Sequence, residues 1–156
     1  MPSRETTSVP EPTVTITPAQ GVYGLFKSFA YSPWQALGEF IDNSVSSWLR
    51  SDQKVPLEVS ISWDPDWGSG AKPGRLTITD NAMGIAVSEF PHAFELATPP
   101  SDLSMLNQFG VGLKVAACWF GDRWSVDTSA IGEPVRRAVH FNVSEIIEKD
   151  LRSLVI

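Results

Sequence analysis

Trp34–Arg50, WQALGEFIDNSVSSWLR, is the stretch on which the fold turns. Leu37, Phe40, Ile41, Val45, Trp48 and Leu49 recur at 3.6-residue spacing, which predicts one amphipathic helix with those residues toward the core. Ser32 stands at the N-cap position and Pro33 in the first turn, a standard helix start. Glu39 and Asn43 are four apart, so they stack one turn above the other on the opposite side. A carboxylate and an amide so placed either hold a metal ion and a water or form a solvated face. The helix read alone leaves both open.

The chain has 156 residues, 42% of them hydrophobic, with six Trp and eight Phe. That is enough for one domain with a real core. The net charge of −6 argues against a broad, sequence-independent grip on nucleic acid by this piece alone. A single Cys makes neither an internal disulfide nor a zinc site, and with two distant His residues a protein-ligated transition metal is not expected. A reducing, cytoplasmic setting fits best. The longest apolar run, Val115 to Phe120, is far too short to span a membrane, and the N-terminus lacks a basic-then-apolar leader pattern.

Residues 1–18 read as a flexible tail in which Thr13 to Thr17, TVTIT, alternates as a short strand able to pair with another chain. Residues 19–156 read as one domain whose abrupt end, LRSLVI, suggests the N-terminal fragment of a longer protein. A short helix is expected over Val22 to Ala30. Leu57 to Trp63 alternates, which predicts a strand with Leu57, Val59, Ile61 and Trp63 on a buried face. Arg75 to Asp80 is its antiparallel partner, with Leu76 and Ile78 inward. Ser88 is the expected cap of a helix to about Leu96, and Thr98 to Gln108 a loop of a length common in lids. An apolar helix over Gly110 to Phe120 follows, then strands over Arg123 to Ser129 and Ala138 to Val143. Arg136-Arg137 reads as a solvated pair in a hairpin turn, and Ser144 as the cap of a last helix. Cys118, Trp34, Trp48, Trp119 and Trp124 read as core, and His92 and His140 as isolated.

Two further stretches carry chemistry. Asp80 ends its strand in DNAMGI. Turn chemistry accounts for Asp-Asn and Gly84 without any ligand. The functional alternative is a buried carboxylate accepting a hydrogen bond from an exocyclic amine. Adenine has that amine at its six position; guanine has an oxygen there, which sets acceptor against acceptor. Gly84 then lets the backbone approach the ring. In QFGVGLK, Gly110 and Gly112 open a helix whose free N–H groups suit phosphate oxygens, with Lys114 one turn inside. A flexible loop end is the plain alternative, and there is no Walker A sequence.

Taken in order, E-x-x-D-N on a helix, D-x-x-x-G after a strand and F-G-x-G-L-K opening another helix resemble the GHKL ATPases: gyrase, heat-shock ATPase chaperones, histidine kinases and MutL. ALGEFIDNS is similar to that family's N-box, DNAMGI to its adenine motif, and NQFGVGLKVAACWFGDRWSVDTSA to its lid, glycine motif and following strand. The L-K and ACWFGD details resemble Morc-type and related bacterial stand-alone ATPases more than the kinases. The resemblance implies a Bergerat-type α/β sandwich, a mixed sheet with helices on one face. It implies that Glu39 is the general base, that Asn43 ligates Mg²⁺ with the ATP phosphates, and that Asp42 helps shape the metal site indirectly. It implies that Asp80 binds adenine, that Ala82 and Gly84 lie beside the base, and that Gly110, Val111, Gly112, Leu113 and Lys114 hold the phosphates. Ala82 stands where the family usually has Gly, and Ser46 where it often has Asp. The expected function is Mg²⁺-dependent ATP binding with slow hydrolysis, coupled to conformational change or homodimerisation. The alternatives are an ATP-sensing module with negligible turnover or a histidine kinase-like catalytic domain. DNA, if a partner, engages parts outside this chain, and no membrane partner is expected.

Overall fold

A computed structural model describes residues 21–68, 74–95 and 111–155. The expected strand at Thr13–Thr17, the lid loop over Thr98–Gln108 and Gly110 lie outside the described residues. In chain order the elements are α1 (Val22–Phe26), α2 (Pro33–Leu49), β1 (Val59–Asp64), β2 (Arg75–Asp80), α3 (Phe90–Phe94), α4 (Gly112–Phe120), β3 (Arg123–Ser129), β4 (Arg136–Asn142) and α5 (Val143–Glu148). The α/β class is as expected. The strands pair antiparallel in two separate ladders, β1 with β2 and β3 with β4, rather than in one mixed sheet among the described residues.

The core lies where α1, α3, α4 and α5 meet the β3–β4 ladder. Tyr23, Phe26, Phe90, Val115, Cys118, Val139, Phe141, Val143 and Ile146 form its buried cluster. Trp124 lies flat on its cross-strand partner Phe141, ring centroids 3.7 Å apart, a cross-strand aromatic pair of the kind that holds register. Helix α4 is the central rod. Five consecutive residues, Lys114 to Cys118, are buried, because α1 and α2 both pack on it. An apolar helix covered on several sides needs no polar face.

Helix α2 starts as the sequence predicts. The Ser32 N–H donates to Gln35 Oε1 at 2.8 Å, half of a capping box, and Pro33 needs no donor there. Its packed face differs from the expected stripe. Ala36 and Ser44 are buried and Phe40 lies between them, its ring 6.2 Å from Phe120 of α4. Ile41 and Leu49 are exposed, and Trp34 is 72% exposed rather than core. Small side chains let α2 approach α4 closely, so the contact ridge follows Ala36, Phe40 and Ser44 instead of the bulkiest residues.

The β1–β2 register pairs Ile61 with Ile78 and Trp63 with Leu76, as the alternation predicts. The face is not buried: Ile61 is 45% and Trp63 60% exposed. Alternation decides which residues share a face, not whether another element covers it. Three smaller expectations are corrected. Helix α3 is preceded by Glu89, not capped by Ser88, and starts from a turn in which Glu89 and Phe90 N–H groups share the Ala86 carbonyl. The cap of α5 is Asn142, whose side chain accepts from the Glu145 N–H; Ser144 instead donates to Asp122 at 2.8 Å. Arg136 and Arg137 belong to β4, not to a turn, and pair with Asp127 and Glu133. The ladder continues to where carboxylates can meet both guanidinium groups.

Candidate active site

Helix α2 carries the centre. Glu39 is half-buried and sits on the shoulder of the ridge that meets α4, not on an opposite, solvated side. A β-carbon added to Gly112 would overlap Glu39 Oε2 and lie 2.9 Å from its Cδ. Only a glycine at the first position of α4 admits the carboxylate so close to the helix's unpaired N–H groups. Two side chains then hold Glu39 and its neighbour. The Tyr31 hydroxyl donates to Glu39 Oε1 at 3.2 Å. The Asn43 Nδ2 donates to the Glu39 carbonyl at 2.7 Å. That bond turns the amide nitrogen back onto the helix, so the Oδ1 end is the one able to meet a cation.

Asp80 reaches α2 from the end of β2. Its Oδ2 accepts from Ser44 Oγ at 2.9 Å and its Oδ1 from the Ala82 N–H at 2.9 Å. Asp80 is exposed, not buried as expected. The sequence reading passed over Ser44. Its signal was a small polar residue immediately after Asn43, on the ridge that packs. Asn81 fixes the strand end by accepting from the Glu58 N–H at 2.8 Å and donating to the Pro56 carbonyl at 3.0 Å. Ala82 keeps a negative φ, since Asp150 is the one non-glycine with positive φ among the described residues. An alanine is therefore unstrained at that place.

Gly84 has φ +72°, and a β-carbon there would lie 2.8 Å from the Ser129 carbonyl carbon and 3.0 Å from Ala130 Cα. The glycine is required by backbone approaching backbone at the end of β3, a reason the turn reading did not include. The same loop is pinned by Ile85 N–H to Thr128 Oγ1 at 3.0 Å, Ile131 N–H to the Met83 carbonyl at 3.0 Å, and Val87 N–H to Glu133 Oε1 at 2.9 Å. The Val87 amide and Arg137 hold the Glu133 carboxyl below its ordinary range.

Of the glycine loop, Val111 precedes α4 and packs on the core, and Leu113 is half-buried. Lys114 is 1% exposed, and burial lowers its pKa to about 8, opposed by the nearby negative charge of Glu95. Its side chain is thus sequestered rather than displayed at the helix start. Asp42 is exposed on α2. Cys118 is buried, its thiol pushed up to about 11, which fits plain core. His92 and His140 are exposed.

The structure therefore joins Glu39, Asn43, Asp80 and Gly112 around one face of α2, with Tyr31 and Ser44 as supports. Among the described residues no group of three or more His, Cys, Asp or Glu side chains is placed to hold a metal. Magnesium does not need one, because it keeps waters and substrate oxygens and takes one or two protein ligands. No helix among the described residues is long and apolar enough to cross a membrane.

A comparison with curated protein sequences gives no match. A family model described as histidine kinase-, DNA gyrase B- and HSP90-like ATPase matches residues 31–155, from Tyr31 through the last described residue. That span covers the helix with Glu39 and Asn43, the strand end with Asp80 and the glycine-led helix, and the chain belongs to the histidine kinase-, DNA gyrase B- and HSP90-like ATPases.

Proposed function

We propose that this ATP-binding domain hydrolyses ATP slowly with Mg²⁺, and that its nucleotide state governs the conformation or homodimerisation of a larger protein. The observation that carries the reading is the Glu39 carboxylate set against Gly112 at the start of α4. Helix N-termini attract phosphate oxygens, so a base there stands next to the transferred phosphoryl group. Glu39 takes a proton from water, the water oxygen attacks the γ-phosphorus, and the bond to the β-phosphate oxygen breaks, releasing ADP and phosphate. Mg²⁺ would be held by Asn43 Oδ1 and would supply charge neutralisation on the phosphates, with exposed Asp42 acting on that site at a distance.

Asp80, oriented by Ser44 and Ala82, accepts the adenine amine. Ala82 and Gly84 shape the edge of the base site, and the backbone through Gly110, Val111, Gly112 and Leu113 meets the phosphates. Lys114 adds positive charge behind that loop. The deciding experiment pairs Glu39→Gln with Asp80→Asn. Glu39→Gln retains ATP binding and loses hydrolysis, and Asp80→Asn loses binding. A Glu39→Gln protein that hydrolyses ATP at the wild-type rate sinks the general-base assignment.

A further inference from the structure

We infer that Tyr31 is the positioning residue for Glu39, holding one carboxylate oxygen so that the other faces the start of α4. This rests on the reading of Glu39 as general base. Tyr31 precedes the α2 cap and lies eight residues before Glu39, so it reaches the carboxylate from outside that helix. Its hydroxyl meets Oε1, while Oε2 occupies the space that a Gly112 side chain would take. A glutamate on a helix has three side-chain torsions, and a base must present one oxygen toward one water. Holding Oε1 while Oε2 lies against Gly112 limits that freedom before substrate arrives. The 3.2 Å separation is long for an O–H···O bond, as such bonds around catalytic groups are before substrate binds.

The phenol is itself anchored. The Tyr31 N–H donates to the Phe29 carbonyl at 2.8 Å. Its ring stands 6.2 Å from Phe29, which is 6.1 Å from Phe26, which is 5.9 Å from Tyr23 in the core. The hydroxyl is thus the end of an aromatic row rooted in α1. It moves no proton: burial, together with the Glu39 charge and hydrogen bond, raises its pKa, so it stays a donor through the cycle.

Two measurements on the 156-residue chain test this. In the first, ¹³Cζ-labelled tyrosine is followed by NMR as pH rises, with Tyr31 assigned as the resonance lost in Tyr31→Phe. Tyr31 titrates above ordinary tyrosine, and Glu39→Gln returns it toward the ordinary range. This arm needs no turnover, and a Tyr31 titration indifferent to Glu39→Gln overturns the inference. In the second, the kcat and KM of ATP hydrolysis with Mg²⁺ are measured at a fixed pH. Tyr31→Phe keeps the aromatic row and lowers kcat about tenfold at unchanged KM, a fraction of the roughly hundredfold or more a general base supplies. Glu39→Gln and the double variant are equally inactive. A wild-type kcat in Tyr31→Phe beside an inactive Glu39→Gln overturns the inference and leaves the base assignment standing. A raised KM with an unchanged kcat also overturns it, in favour of a packing role. Full activity in Glu39→Gln instead removes the base assignment, and the positioning role with it.

Discussion

At the scale of single residues, Gly112 and Lys114 share the first turn of one helix and do opposite things. Gly112 makes room. Gly112→Ala places a methyl group against the Glu39 carboxylate, so the side chain must swing away. We predict a loss of kcat of about a hundredfold, the scale of a misplaced catalytic group, with ATP affinity changed far less; steady-state kinetics beside nucleotide titration checks it. Lys114 is buried with its pKa lowered to about 8, whereas the unfolded chain holds that proton up to about pH 10.5. Between those values the unfolded state binds more protons, so this group makes stability rise with pH; below about 8 both states are protonated and the burial penalty is felt in full. Lys114→Met removes the penalty. Its stability relative to wild type is therefore most favourable at pH 7.5 and less so at pH 9.5, as read by denaturant melts at both. The sequence set Lys114 one turn inside a helix that instead begins at Gly112, with Lys114 in its first turn. It could not show that α4 is covered by both α1 and α2, so the expected displayed lysine is enclosed.

At the scale of elements, the Asp80-to-Gly84 turn is held between α2 and the end of β3. Gly84→Ala combines a left-handed φ with backbone overlap at Ser129 and Ala130, and we predict a destabilisation of about 1–3 kcal/mol, the range for strained backbone sites, measurable by urea melts. Ser44→Ala removes the donor to Asp80 Oδ2. Calorimetry should show ATP affinity reduced about three- to tenfold with the fold intact, as expected when a hydrogen bond to a charged group is worth roughly 1.5–3 kcal/mol before partial replacement by water. The strands themselves were legible: β2 and β3 fall on the predicted residues because alternation and turn residues are local. The caps were not. Ser88 and Ser144 have the right chemistry, but Glu133 draws the Val87 amide into another turn and Asp122 claims Ser144.

At the scale of the whole molecule, ligand binding is the most direct test. ATP with Mg²⁺ at about a hundred times its Kd should stabilise the chain by roughly 2.7 kcal/mol, seen as a raised melting temperature that GTP does not reproduce. If the nucleotide drives dimerisation, light scattering with a non-hydrolysable analogue shows a doubled mass, and without it a monomer.

Sequence order alone was enough for the family and for most elements. A helix with Glu39 and Asn43, a strand ending at Asp80 and a glycine-led helix are local patterns, because helix and strand periods are written into short segments. Which face each element buries is not local. Glu39 looked opposed to the apolar stripe of α2. The small residues Ala36 and Ser44, however, let α4 approach beside it and bring Gly112 against its carboxylate. Ser44 also meets Asp80 and Tyr31 meets Glu39, contacts the chain's local patterns do not show. Contacts between residues far apart in the chain depend on how closely two surfaces approach, and only the packed structure decides that.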